Sequence, residues 1–347
     1  MSSAEKTGGP RTSIVVINWN RRALLEQCLR SIEQQTERDF ELILIDNGST
    51  DGSLDVLKHF SFPALQVIRN TENRGYTPAV NQGIRAARGR FIALINNDVV
   101  LATNWLAEAL SGFARDAQIG MCASKILLAL EPGRIDKVGH LLYPDGQNYG
   151  RGHRELDRGQ YDRVEEVLWP DGATAIYRVE LFETSGLFDE DFFAYGDDAE
   201  LGLRAQLCGW KCLYLPAAVS QHHHSATLGP YSPAKIFLVE RNRIWLALKL
   251  FPWPHLLAVP VYTAVRFAYS LGALLARRGD VGRSTREGSV WGLVGAVLRA
   301  QWAAFVTLPR MLAKRRDVAR HRKISTPEFT HLIRRYSISA RRLTFHD

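Results

Sequence analysis

The sequence predicts an α/β protein: a mostly parallel sheet flanked by helices, followed by a C-terminal helical region that associates with membranes. Three observations carry this. Short β-branched apolar runs alternate with helical stripes over the first hundred residues, as in βαβ units. Polar residues gather where those runs end, at Asn18, Asp46, Asp51, Asn96 and Asp98, and ligands of open parallel sheets sit beyond the carboxyl ends of the strands. Finally, the net charge of +8 is unevenly spread. Residues 1–230 hold 23 Lys+Arg against 30 Asp+Glu, a net −7, whereas residues 231–347 hold 21 against 6, a net +15.

The elements follow in order. Ser13 to Asn18 carries an unbroken β-branched apolar run, Ile14 to Ile17, bounded by polar residues, which reads as a buried parallel strand. Arg22 to Gln35 carries Leu24, Leu25, Cys28, Leu29 and Ile32 at helical spacing. Phe40 to Asp46 is a second strand, running into the turn-rich Asp46-Asn47-Gly48-Ser49-Thr50-Asp51-Gly52. Leu65 to Arg69 is a third strand, Pro78 to Ala87 a helix, and Phe91 to Ile95 a fourth strand ending in Asn96-Asn97-Asp98. From about Lys125 to Pro170 the chain is rich in Gly, Asp and Arg and reads as irregular loops and short strands that cover the site.

After Pro230 the character changes. Leu256 to Ala276 and Val290 to Leu308 are long apolar stretches, interrupted by Arg266 and Arg299. A charge at the bilayer centre is costly. Arg277-Arg278, Lys314-Arg315-Arg316 and Arg320 to Lys323 flank them. Helices lying in the interface, with basic residues toward anionic headgroups, fit this pattern better than a span, a re-entrant hairpin or a soluble subdomain. The expected division is a disordered stretch over 1–11, a sheet domain over 12–230 and a membrane-associated region over 231–347.

Composition bounds the rest. With 347 residues, 46% hydrophobic and 23% charged, the chain is long and apolar enough for a sizeable core and is not disordered. Cys28, Cys122, Cys208 and Cys212 include no CxxC pair, which argues against a zinc or disulfide framework and for a reducing compartment. The polar stretch from Met1 to Pro10 lacks the apolar core of a signal peptide. The expected location is therefore the cytoplasmic face of the membrane.

Three segments carry chemistry. Asp98, at a strand end, suits a hard divalent cation bound to a diphosphate, which needs few protein carboxylates; taken alone, it fits a helix N-cap better. Asp197, Asp198 and Glu200 crowd one short stretch, so that one carboxyl is pushed up and serves as a general base, or the three complement a helix dipole. His222, His223 and His224 follow a strand and offer one or two imidazole ligands, or form a polar loop.

These segments stand in a distinctive series: Asn-Trp-Asn-Arg at 18–21, Ile-Asp-Asn-Gly-Ser-Thr-Asp-Gly-Ser at 45–53, Asn-Arg-Gly-Tyr at 73–76, Leu-Ile-Asn-Asn-Asp at 94–98, Gly-Leu-Phe-Asp-Glu-Asp-Phe-Phe-Ala-Tyr-Gly-Asp-Asp at 186–198, and Pro216 to Thr227. Over about residues 12–245 the series resembles family 2 glycosyltransferases of the Rossmann-like GT-A fold, especially the bacterial rhamnosyltransferase-like branch. The resemblance implies roles. Asp46, beside Ile17 and Asn18, would recognise the base of a nucleoside-diphosphate sugar. Arg74 and Asn97 would lie along the same donor. Asp98, Asn96 and His222 would hold Mg²⁺ or Mn²⁺, with Asn96 standing where the family often has Asp. Asp198 would be the catalytic base. Trp169, Asp171 and Asp197, the last in place of the usual Glu, would face the acceptor.

The implied reaction is inverting transfer of a hexose such as rhamnose, from a dTDP- or UDP-sugar to a lipid-linked or cell-envelope glycan. The competing reading is a non-catalytic protein of this fold that binds nucleic acid or lipid. Apolar residues interleaved with the tail's arginines favour an anionic membrane surface over nucleic acid.

Overall fold

A computed structural model describes residues 9–223, 232–276 and 290–345. Most of the expected disordered N-terminus, His224 and the Arg277-Arg278 pair lie outside the described residues. The first strands are β1 (Thr12–Asn18), β2 (Phe40–Asn47), β3 (Leu65–Asn70) and β4 (Phe91–Asn96). They alternate with helices α1 (Arg22–Glu33) and α2 (Tyr76–Ala86) and pair parallel in the order β4-β1-β2-β3.

Alternate residues of β1 and β2 feed two cores, so that both faces of these strands are covered and they read as unbroken apolar runs. Ile14, Val16, Leu42 and Leu44 pack with Leu25, Leu29 and Ile32 of α1. Val15, Ile17, Ile43 and Ile45 pack with Val80 and Ile84 of α2. Gly83 lets α2 lie close to the sheet, since a Cβ there would come within 2.2 Å of Val15.

Beyond β4 the sheet becomes mixed. β5 (Val99–Leu101) and α3 (Trp105–Ser111) lead into β6 (Ile119–Leu128), a ten-residue strand that crosses into the segment expected to be irregular. Four short strands follow in that segment: β7 (Ile135–Lys137), β8 (His140–Leu142), β9 (Asn148–Gly150) and β10 (Glu165–Val167). β11 (Thr174–Arg178) runs antiparallel between β4 and β6, and after α4 (Val179–Ser185) and α5 (Asp197–Leu207) the long β12 (Lys211–His222) runs parallel to β6. At its far end β12 turns to pair with β5, placing His222 opposite Val99.

The C-terminal helices are α6 (Pro233–Leu250), α7 (Trp253–Leu275), α8 (Val290–Val306), α9 (Leu308–His321), α10 (Thr326–Arg335) and α11 (Ala340–Phe345). The change of charge at residue 230 is not a break in packing. Leu246, Leu250, Phe251, Phe329 and Ile333 share a core with Trp169, Leu203 and Leu207, and buried Lys249 donates to Glu200 at 2.7 Å. Arg266 also departs from expectation. It points inward, 8% exposed, and its Nε donates to Asp145 at 2.7 Å. The outer face of α7 is therefore free of charge, with Leu257, Val261 and Leu275 65–77% exposed. Among the described residues α7 is long and apolar enough by itself to cross a membrane; α8 and α9 qualify only when taken as one span, bent by 63°.

Candidate active site

The ends of β1, β2 and β4 converge. Asn18 Nδ2 donates to Asp46 Oδ1 at 3.2 Å and to Ser49 Oγ at 3.0 Å. Asn97 Nδ2 donates to Asn18 Oδ1 at 2.7 Å. Parallel register sets Asn18 beside Asp46, so sheet pairing alone joins three of the expected donor-site residues. Asn47 Nδ2 donates to Asn73 Oδ1 at 2.9 Å and to Gly75 O at 3.0 Å, which shapes the loop carrying Arg74. Arg74 is exposed, and its side chain makes no hydrogen bond or ion pair among the described residues.

Next to this cluster opens a cavity of about 810 Å³, lined among others by Ile17, Asn96, Asn97 and Asp98. His222 lies against Asp98: Nε2 is 3.4 Å from Asp98 Oδ1, while Nδ1 is 2.7 Å from Asp136 Oδ2. Burial pushes the Asp98 carboxyl up, but His222 outweighs this and holds it below the usual range. Burial opposes charge on His222 too, yet Asp136 and Asp98 raise it to about 9. Asp98 Oδ1 is buried without a hydrogen bond. A divalent cation fits between the Asp98 carboxylate and the His222 ring by displacing the Nε2 proton, with Asp136 holding the other ring nitrogen.

A second cluster lies on the same cavity. Asp198 stands in the first turn of α5, its Oδ1 accepting from Ala199 N at 2.8 Å and its Oδ2 from Gly172 N at 3.2 Å. His140 Nε2 is 3.7 Å from Asp198 Oδ2 and 3.1 Å from Asp171 Oδ2. Lys137 Nζ is 2.7 Å from Asp171 Oδ2. Burial raises Asp198, partly opposed by His140 and Lys137. Burial and the Asp198 charge push Asp197 up to about 8. Burial acts on Asp171 as well, but Lys137 and His140 more than offset it and hold that carboxyl well below the usual range.

Ligand atoms of His140, Asp171 and Asp198 fall within 4.8 Å of one another. The Lys137 ammonium already pairs with Asp171 of that trio and would repel a metal ion there. Asp98 and His222 are the better cation site, and the trio with Lys137 is the better setting for a base.

Glu200, by contrast, turns into the core, where Arg204 and Lys249 pair with it. Trp169 is fully buried. It stacks on His140 at 5.7 Å between ring centres, so it supports the site from beneath and does not reach an acceptor. Asp171 and Asp197 do line the cavity. Lys137 and His140 escaped the sequence reading because they sit in the Gly-, Asp- and Arg-rich segment. The run Ile135-Asp136-Lys137-Val138 has no period-two alternation that would mark a strand there.

The profile described as glycosyl transferase family 2 matches residues 13–184. The chain belongs to glycosyltransferase family 2. It is 29% identical over 311 residues to N-acetylglucosaminyl-diphospho-decaprenol L-rhamnosyltransferase of Mycobacterium tuberculosis, covering 79% of this chain and 95% of that one. It is 30% identical over 234 residues to the O-antigen biosynthesis protein RfbC of Myxococcus xanthus, covering 63% of this chain. The chain spans a quarter or less of the length of two of the curated relatives it matches. Among solved structures, the mannosyltransferase PcManGT of Pyrobaculum calidifontis, in complex with GDP-Man and Mn²⁺, superposes with a TM-score of 0.52 at 18% identity, over 91% of this chain and 86% of that one. This family 2 chain thus has the GT-A fold.

Proposed function

We propose that this protein is an inverting, metal-assisted glycosyltransferase at the cytoplasmic face of the membrane. It moves a hexose, rhamnose by preference, from a dTDP- or UDP-sugar to a hydroxyl of a lipid-linked cell-envelope saccharide. The observation that carries this reading is the shared cavity. Asp98, His222 and Asp198 line it from the sheet side, and Asn242, Arg243 and Arg266 line it from α6 and α7, whose neighbouring apolar surface is open. The named activity of the mycobacterial relative supports the donor and acceptor classes, and four unpaired cysteines suit a reducing compartment.

The residues divide the work. Asp46 holds two Asn18- and Ser49-directed bonds and keeps further acceptor lone pairs for the N3–H of a uracil or thymine ring. Arg74, exposed at the rim, is placed to pair with the diphosphate. Asp98 and His222, with Asn96 beside them, would hold Mg²⁺ or Mn²⁺, which supplies charge neutralisation for the departing nucleoside diphosphate. Asp198 takes the proton of the acceptor hydroxyl as its oxygen attacks the anomeric carbon from the face opposite the leaving group. Gly172 N–H and the start of α5 fix the base in place, and such help contributes on the order of 10²–10⁴-fold.

A melting-temperature panel of nucleotide sugars with Mn²⁺ or Mg²⁺ tests the reading. A ligand at 100 times its Kd adds about 2.7 kcal/mol of stability, so the true donor raises the melting point only when metal is present. If no nucleotide sugar does so, the reading fails.

A further inference from the structure

Charges of both signs line the cavity, Lys137 standing among the acids of the sheet domain. Asp98, Asp197 and Asp198 come from the sheet side, whereas Arg243 comes from α6 and Arg266 from α7. Both arginines are more than nine-tenths buried. Two acids hold them: Arg243 Nε donates to Glu240 Oε2 at 2.8 Å, and Arg266 Nη2 donates to the same oxygen at 3.0 Å. Asp145 Oδ2 accepts from Arg266 Nε at 2.7 Å, and its backbone oxygen accepts from Arg243 Nη1 at 3.2 Å. Neither acid lines the cavity; both arginines do. Arg243 Nη2 makes no hydrogen bond among the described residues. A guanidinium locked in orientation, buried, and with N–H groups to spare on a cavity is built to receive a phosphate group.

Its place in the fold narrows the ligand. Arg266 and Ser270 line the cavity from the inner face of α7, while Val261, Val265 and Leu271 on the same helix are 40–65% exposed. One helix therefore separates these two arginines, matched in charge by Asp145 and Glu240, from the apolar surface. The diphosphate of a donor belongs at the other end, by Asp98 and Arg74.

We infer that Arg243, with Arg266 beside it and Asp145 and Glu240 behind, is the subsite for the diphosphate that joins the acceptor saccharide to its lipid. This rests on the lipid-linked acceptor of the proposed function.

The test is a binding titration of the full chain in detergent micelles, saturated with UDP or dTDP and Mn²⁺. Farnesyl diphosphate is compared with farnesol. The site predicts at least tenfold tighter binding of the diphosphate, with no displacement by the nucleotide, and at least a tenfold loss in Arg243→Gln. Arg243→Lys keeps the charge that Glu240 and Asp145 need and should lose at least threefold. Equal binding of the two lipids, displacement by the nucleotide, or full retention in both variants would overturn the subsite and leave the four residues as a structural staple. The two wild-type arms decide even if a variant fails to fold. Farnesyl diphosphate binding without nucleotide binding would keep the subsite and overturn the donor reading; nucleotide binding alone would do the reverse.

Discussion

Asp98 Oδ1 lies 3.4 Å from His222 Nε2, although the two residues stand more than a hundred positions apart in sequence. The pairing of β12 with β5 brings them together. If they are joint ligands of a metal, Asp98→Ala and His222→Ala should each weaken Mn²⁺-dependent binding of the nucleotide, by at least about 10–100-fold, the range found even for outer residues of metal sites. Calorimetric titration of UDP or dTDP at several Mn²⁺ concentrations checks this. An unchanged metal titration in both variants would remove the site from Asp98 and His222.

The Asp197 carboxyl should leave a mark on stability. Its folded-state pKa of about 8 stands above the unfolded value near 3.8. The folded state therefore binds the extra proton, and the contribution is full below pH 4, falls as pH rises and is gone above pH 8. Asp197→Asn removes this dependence. The variant should melt closest to the wild type below pH 4 and increasingly above it as pH rises to 9, by about 2–4 °C for each kcal/mol. Parallel melting curves across that range would show that Asp197 is not held protonated.

Lys137 tunes the base by its own charge and through Asp171. Without its charge, Asp171 stands unneutralised beside Asp198, and a carboxylate next to another gives up its proton less readily. Lys137→Met should therefore shift the acid limb of the kcat–pH profile upward and cost at least about tenfold at neutral pH. A fall in rate with an unmoved limb would assign Lys137 to structure alone.

Much of this was legible in the sequence, for identifiable reasons. The β-branched runs at Ser13–Asn18 and Phe40–Asp46 are buried on both faces, so composition alone marks them as strands. Their polar last residues then mark the site. Asp198 and His222 were legible through the series of motifs. Lys137 and His140 were not, because β7 and β8 are three residues each, too short for periodicity to register. The inward turn of Arg266 was equally hidden: its partner Asp145 is distant in sequence, and only the packing of α7 against the sheet domain reveals it.

The exposed apolar helices predict membrane binding that is only partly electrostatic. Trp302 and Phe305 of α8 are each 66% exposed. Burying a large apolar side chain contributes about 1.5–3 kcal/mol, so Trp302→Ser with Phe305→Ser should weaken binding to anionic vesicles by about 100-fold or more. Raised salt should weaken the wild type further. Co-flotation with vesicles reads both effects, and an undiminished double variant would free α8 from this role.

The central claim is that Asp198 removes the acceptor proton. Single-turnover product formation by Asp198→Asn, at saturating donor and metal with donor binding measured alongside, tests it most directly. The account predicts a rate about 10²–10⁴-fold below wild type with donor still bound. A rate within a few-fold of wild type would contradict it.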